Sequence, residues 1–393
     1  MDGLPTEIKL AIVSHVASFD GQIESRSLIP QIPVSLASSS VKYPALKSLS
    51  LLNGQWRSLT RPHLFSRLVL RMGGGTSGNF STSTRFRMAM KDAADSLEGL
   101  PLPKTDMLAQ VDSLVVEIDP PIVSGTQSLR NPAKHSTDII TMYDFWRRIF
   151  ESVDPTRLAI LGPVSVLGWL TTTVTQMRDA WGFGDMETQM LELTQNHRRP
   201  LLTSGLRSRS RSNAAWDTEY LFNARSWTGL KLNEGSMLQA YGIYEYFNRV
   251  PPTILDGVIL PRSESLESFS LHCLFPFNTH VDELQLLSLS HYRRIHFHFT
   301  PAPNMQVLDN SKMVGKADLV DCWREVEQIY QRTLEQQSLF GPDGLLEEFS
   351  TGDHVVESIR RILDDGFIEH AQHGWVPTGF GRWTRSQMSN ADS

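Results

Sequence analysis

Three histidines stand close together in HYRRIHFHFT, at His291, His296 and His298. Clustered imidazoles are a common start for a metal site, but zinc-type ligation also wants Cys or carboxylate partners at set spacings. None lies nearby, and the strand period splits the segment into two faces. Ile295, Phe297 and Phe299 point one way, and Arg294, His296 and His298 the other. The pattern predicts a basic, exposed sheet face rather than a metal centre. Such a face would meet an acidic or phosphorylated segment of a target protein, with histidine protonation adding a pH dependence. His370 and His373 are three apart on an expected helix without a third ligand, and read as core or surface histidines.

Other stretches with chemical promise resolve in the same direction. GGGTSGNFSTST lacks the Gly-Lys-Ser/Thr of a phosphate-binding loop and the Gly-flanked Ser of a nucleophile elbow. It reads as a flexible loop. SGLRSRSRSNAAW alternates Arg and Ser like a phosphorylatable or nuclear-targeting segment, yet reads first as a solvated loop. The two cysteines, Cys273 and Cys322, are far apart, which fits a reducing compartment and leaves no disulfide framework or paired zinc spacing. No nucleophile clusters with a base. No catalytic residue, metal ligand or cofactor is therefore expected, and the chain is not expected to be an enzyme.

The elements that would position these residues follow a recurring pattern, apolar-x-x-apolar-x-apolar. It appears in FSRLVL, VDSLVV, PTRLAI, WTGLKL, LDGVIL, LESFSL and YRRIHF. Alternate residues of such a unit point into a core, as in the strand of a leucine-rich repeat. Leu255 and Leu266 begin too close together for both to start ladder strands. Helices are expected between the strands at TDIITMYDFWRRIFESV, QMRDAWGFGDMETQMLELTQ and EGSMLQAYGIYEYFNRV. Strand followed by helix favours parallel pairing with right-handed crossovers. Toward the C-terminus, Leu319, Cys322, Trp323, Val326 and Ile329 share one side of a helix, and Val356, Ile359, Ile362 and Leu363 another. These helices are expected to cap the open end, with RSQMSNADS frayed. The fold class is α/β: residues 71–393 form an irregular leucine-rich-repeat-like solenoid capped by C-terminal helices.

Composition bounds the function. The chain has 393 residues, 40% hydrophobic and 20% charged, enough for a small domain plus a larger one. A net charge of -6 gives no overall basic excess for a phosphate backbone, so no nucleic acid partner is expected. The N-terminal segment MDGLPTEIKLAIVSHVASF has no basic n-region, and no window is apolar enough for a membrane span. A soluble protein of the cytoplasm or nucleus, without a membrane partner, is expected.

The first seventy residues read as a separate unit. Pro5 suits the first helical position and Glu7 the first turn. Ile8, Ile12 and Val16 then recur on one face, with Leu10, Val13 and Ala17 on a second. A polar loop, DGQIESRSLIPQIPVSLASSSVK, follows. A second helix resumes at Pro44 with a stripe of Ala45, Leu49, Leu52, Trp56 and Leu59, carried through the Asn53-Gly54 turn signal because the stripe stays in phase. A third short turn is expected from Pro62, bearing Leu64 and Phe65. A unit this small has one interior, so its apolar content exceeds its own needs.

The order of these residues, Leu4-Pro5-x-Glu7-Ile8, Ile12, Val16 and then LSLLNGQWRSLTRPHLFSRL, resembles the F-box, in particular that of filamentous-fungal proteins. The likeness covers residues 3 to about 70, and FWRRIFESVDPTRLAILGPVSVLGWL extends it more faintly. The loop between the first two helices is longer than usual for that family, and Asn53-Gly54 stands where small or apolar helix formers are more common. What the resemblance implies is docking on the Skp-type adaptor, and through it a cullin, of a ubiquitin ligase. The implied adaptor contacts are Leu4, Pro5, Ile8 and Ile12, with Leu49, Leu52, Trp56, Leu64 and Phe65 shared between the unit's own core and the adaptor. The leading expectation is a substrate receptor whose body, residues 71–393, holds an unidentified target protein. The alternative is a scaffold that binds the adaptor without a cullin.

Overall fold

The first helix begins directly after Pro5, whose carbonyl accepts the Lys9 amide at 3.1 Å. In the computed structural model, the described residues are 4–27, 44–72, 82–99, 110–118, 136–173, 188–196, 220–238, 265–277, 289–301 and 317–386, with a few single positions between them. Helix α1 spans Thr6–Ser27, so it runs through the start of the segment expected to be loop. That stretch holds Gln, Glu and Arg, which lose little in a helix, and its one Gly costs only about 1 kcal/mol. The rest of the expected loop, 28–43, lies outside the described residues.

Asn53 corrects the second helix. Its side-chain oxygen accepts the Trp56 amide at 3.0 Å, ending α2, Pro44–Leu52, and starting α3, Gly54–Leu64. A capping Asn satisfies an amide that no helical carbonyl can reach, and the turn signal therefore prevails over the continuous stripe. The break changes the phase: Leu46 enters the core, while Ala45 and Leu52 are exposed. Pro62 sits inside α3 instead of opening a third helix. Val13, Leu46 and Trp56 form the small core of this unit, flanked by Ile12, Val16, Ala17, Leu49, Leu59 and Leu64.

The body follows as β1 (Arg67–Met72), α4 (Thr82–Glu98), β2 (Ser113–Ile118), α5 (Ser136–Ser152), β3 (Arg157–Gly162), α6 (Val164–Thr171), β4 (Gln189–Thr194), α7 (Tyr220–Asn223), β5 (Gly229–Ser236), β6 (Ser268–Leu274) and β7 (Arg294–His298). After these come α8 (Leu319–Leu334), α9 (Gln337–Phe340), β8 (Glu348–Thr351), α10 (Glu357–His370), β9 (Trp375–Gly379) and β10 (Arg382–Arg385). All ten strands join one sheet in the order β1-β2-β3-β4-β5-β6-β7-β8-β10-β9. β1 spans position 70.

Six of the seven patterned segments are ladder strands. The exception is LDGVIL: β5 and β6 pair directly, Leu255 is helical, and 256–260 lie outside the described residues. The expected parallel pairing holds for much of the sheet and is corrected at β4 and at β8–β10. β1–β3 and β5–β8 are parallel blocks, but β4 runs antiparallel to both neighbours, and β10 is antiparallel to β8 and β9. β4 comes from QMLELT, which was assigned to a helix. Leu191 and Leu193 alternate into the core while Met190 and Glu192 lie on the opposite face, the period of two of a strand. Glu234–Ser236, also assigned to a helix, end β5. At the C-terminus Arg385 closes β10 where fraying was expected. Among the described residues no helix is long and apolar enough to cross a membrane.

Register stacks the core. Leu114, Leu158, Leu193, Leu230, Phe269, Ile295 and Phe349 are consecutive cross-strand partners, as are Val116, Ile160, Leu191, Leu232, Leu271 and Phe297. These side chains are almost wholly buried, each contributing roughly 2 kcal/mol of transfer free energy. Arg225 ties α5 to β5: its guanidinium donates to the Phe150 and Val153 carbonyls at 3.1 Å, at the helix C-terminus where a cation is favoured, and pairs with Asp154 at 2.7 Å.

α8 and α10 pack together at the C-terminal end. Cys322, Val326 and Ile329 of α8 and Ile359, Leu363 and Phe367 of α10 are buried. Beneath them lies Asp353, wholly buried. Its carboxylate accepts the Phe299 amide at 2.6 Å, the Thr300 amide at 3.0 Å and hydroxyl at 2.8 Å, and the Tyr330 hydroxyl at 2.6 Å. Burial and this carboxylate hold the Tyr330 phenol well above its usual range. Replacing Asp353 by Ala would leave four donors without an acceptor, a predicted loss of about 3 kcal/mol, against about 1 kcal/mol for Tyr330→Phe. Urea denaturation of the two variants checks the ranking; equal midpoints would contradict it.

Candidate functional site

Two surfaces carry the residues of interest. On the helical unit, Lys9 is buried with its ammonium 2.7 Å from Gln55 Oε1 and 5.9 Å from the centre of the Trp56 ring. This fixes α1 on α3 and separates the nine expected adaptor contacts into two sets. Trp56 is fully buried, and Ile12, Leu49 and Leu64 pack around it. Pro5 lies exposed at the start of α1. Leu4, Ile8, Leu52 and Phe65 keep 36%, 49%, 55% and 39% of their surface exposed. Leu4 lies just before α1 and Ile8 in its first turn, and Leu10 is exposed as well. Leu51 is exposed too, and sequence reasoning missed it because the continuous stripe gave it no face of its own.

The second surface is the outer face of the sheet. Cross-strand register arranges it in rows. The first runs Arg67, Ser113, Arg157, Thr194, Gly229, Ser268, Arg294 and Glu348, and the next Val69, Val115, Ala159, Glu192, Lys231, Ser270, His296 and Ser350. Ile295, Phe297 and Phe299 are buried on the core side, as the strand period requires. The expected basic, exposed character of the other side needs correction. Arg294 is exposed and paired with Glu267 at 3.4 Å, while His296 and His298 are half-buried.

A third histidine joins them. His272 on β6 is the register partner of His298, and its ring lies 5.6 Å from that of His298 and 5.2 Å from that of His296. Its place was invisible without the strand register. His296 Nδ1 is 3.0 Å from Ser350 Oγ, His272 Nε2 is 3.0 Å from Ser270 Oγ, and His298 donates from Nε2 to the Thr300 carbonyl at 2.9 Å. Gly352 lies against the His298 ring, where a Cβ would come within 2.2 Å of Nδ1, so this contact demands glycine. Burial pushes His296 down to about 4, helped by His298 and Lys231, and pushes His272 well below its usual range. The His272 and His296 rings are therefore neutral near pH 7 and add no positive charge. His291 packs on Tyr292, ring centres 4.0 Å apart, and buried His370 donates to the Leu334 carbonyl at 2.8 Å. Among the described residues no group of three or more His, Cys, Asp or Glu side chains is placed to hold a metal ion.

No family model, curated protein or solved structure matches the chain.

His296 links stability to pH with a definite sign. A folded-state value near 4 against an ordinary 6.5 means that the unfolded chain binds more protons between those limits. The stabilisation from neutral His296 is complete above about pH 6.5 and is lost as pH falls through 4. Urea midpoints measured from pH 7.5 to 4.5 should fall, and His296→Gln should flatten the fall; an unchanged slope would contradict the linkage.

Proposed function

We propose that this chain is a substrate receptor of a Skp-cullin-F-box ubiquitin ligase. Residues 1–70 act as an F-box that docks on the Skp-type adaptor, and residues 71–393 form an irregular leucine-rich-repeat-like body that presents a target protein. The observation that carries the reading is the division on the helical unit. Its core of Val13, Leu46 and Trp56 is complete, yet Leu4, Ile8, Leu52 and Phe65 remain outside it. Exposed large apolar side chains on a small unit are the kind of anchor from which protein interfaces draw most of their energy.

Two features of the body support the second half. The first eight strands take their places in the sheet in chain order, as stacked repeat units do. The helical unit's cluster is also distinct from the main core, which fits a docking module joined to a presenting one. In this role the receptor binds and positions; transfer chemistry belongs to other subunits.

The test is capture of a Skp-type adaptor by the full chain. Ile8→Asp combined with Leu52→Asp is expected to weaken capture by about a hundredfold or more while leaving the circular dichroism spectrum unchanged, since both side chains already face solvent. Undiminished capture would overturn the interface. Recovery of a cullin with the adaptor supports the ligase role, whereas adaptor without cullin points to the scaffold.

A further inference from the structure

We propose that the open edge of β1 binds an extended segment of the target protein as an added strand. The inference rests on the receptor reading and names the form and chemistry of the target. Among the described residues β1 ends the sheet, with β2 its one neighbouring strand. Ser66 accepts the Ser113 amide at 2.9 Å, which sets the ladder in the phase where Leu68 and Leu70 turn their backbone groups to β2. Val69, between them, turns its N–H and C=O outward. The far edge is built differently. Gly374 accepts the Ser386 amide at 2.8 Å, so Val376 of β9 faces β10 and Pro377 faces out, where it has no N–H to offer. β1 carries no proline.

Side-chain burial points the same way. Leu114 and Val115 of β2 are wholly buried, one on each face, whereas their partners Leu68 and Val69 on β1 are half-buried. Both apolar rows therefore reach the edge unfinished, and a strand with apolar residues on both faces would complete them. Arg71 adds a charge preference on the outer face, two residues from Val69. Its side chain is 53% exposed, and Glu117 lies 3.6 Å away, beyond hydrogen-bond length. β2 shows what β1 accepts on one side: Leu114, Val115, Val116 and Glu117 stand level with Leu68, Val69, Leu70 and Arg71. The open side asks for the same series, an apolar run ended by a carboxylate that shares a face with the apolar residue two positions from it.

A second copy of this chain does not meet that requirement. Two β1 strands paired antiparallel about Val69 set Arg67 level with Arg71, and parallel pairing in register sets each arginine against its own counterpart. Like charges directly opposite destabilise a ladder. The β9 edge of another copy is closed by Pro377. Position in the chain suits a target segment. Only Phe65 and Ser66 separate α3 from β1, so a strand added there follows directly on the docking unit.

Fluorescence anisotropy on the full chain tests this with labelled peptides SLVVEI and IEVVLS, which set the same side chains level with β1 in the parallel and the antiparallel direction. At least one should bind. N-methylation of one alternate set of its amides should weaken binding about tenfold or more, and of the other set leave it unchanged, because main-chain hydrogen bonds on one side carry such pairing. Replacing its glutamate by glutamine should weaken it about threefold, and Arg71→Gln should erase that difference. Val69→Pro should abolish binding with the circular dichroism spectrum unchanged, since Val69 gives no hydrogen bond to β2; if that variant loses its fold, the two N-methylated peptides decide. Binding of neither peptide, equal effects of the two N-methylated sets, or unaltered affinity in folded Val69→Pro would overturn the proposal. A dimer in sedimentation velocity that Val69→Pro dissociates would assign the edge to a second copy and overturn it as well. Adaptor capture is a separate readout: capture without peptide binding overturns the edge alone, and peptide binding without capture counts against the receptor reading alone.

Discussion

The body depends on one constraint: alternate side chains of each strand must stack on those of the strand beside it. The parallel blocks meet this by register, Leu114 on Leu158 and Leu230 on Phe269 on Ile295. A slip of one residue would turn all of these outward, so the apolar ladder specifies the order of the sheet as well as its stability. β4 obeys the same rule with its direction reversed, setting Leu193 between Leu158 and Leu230. The outer face inherits its rows from this register. Arg67 comes level with Arg157, and His272 level with His298, because the core residues beside them pair.

The helical unit solves a different problem. The three helices do not each bury a broad face, and the unit concentrates its burial on Trp56, held by Val13, Leu46 and the Lys9 side chain. The Asn53 cap makes this possible by bringing α3 back across α2, and the same break turns Leu51 and Leu52 to solvent. One local hydrogen bond thus helps create both the core and the exposed anchors. At the opposite end, Asp353 gathers the β7 terminus and α8 onto a single carboxylate.

Much of this was legible in residue patterns. The strands carrying LVV, LAI, LKL and FSL announce themselves by the recurring apolar-x-x-apolar-x-apolar pattern, and α8 and α10 by their apolar sides. The losses have physical causes. QMLELT alternates from Leu191 to Thr194, but it closes a longer segment read as one helix, and its antiparallel direction is a tertiary fact. Asn53-Gly54 set a local cap against a long-range stripe, and the cap prevailed. His296 looked exposed because alternation tells which face a residue occupies but not whether that face is open. His272, Arg67 and Arg157 could not be grouped without knowing which strands are neighbours.

The central claim is that the exposed anchors of the helical unit, rather than its core or the sheet, meet the adaptor. Hydrogen–deuterium exchange of the full chain with and without a Skp-type adaptor tests it most directly. The account predicts slowed exchange in the first turns of α1 and around Leu52 and Phe65, with the strands of the sheet unaltered. Protection confined to the sheet, or no change anywhere, would contradict it.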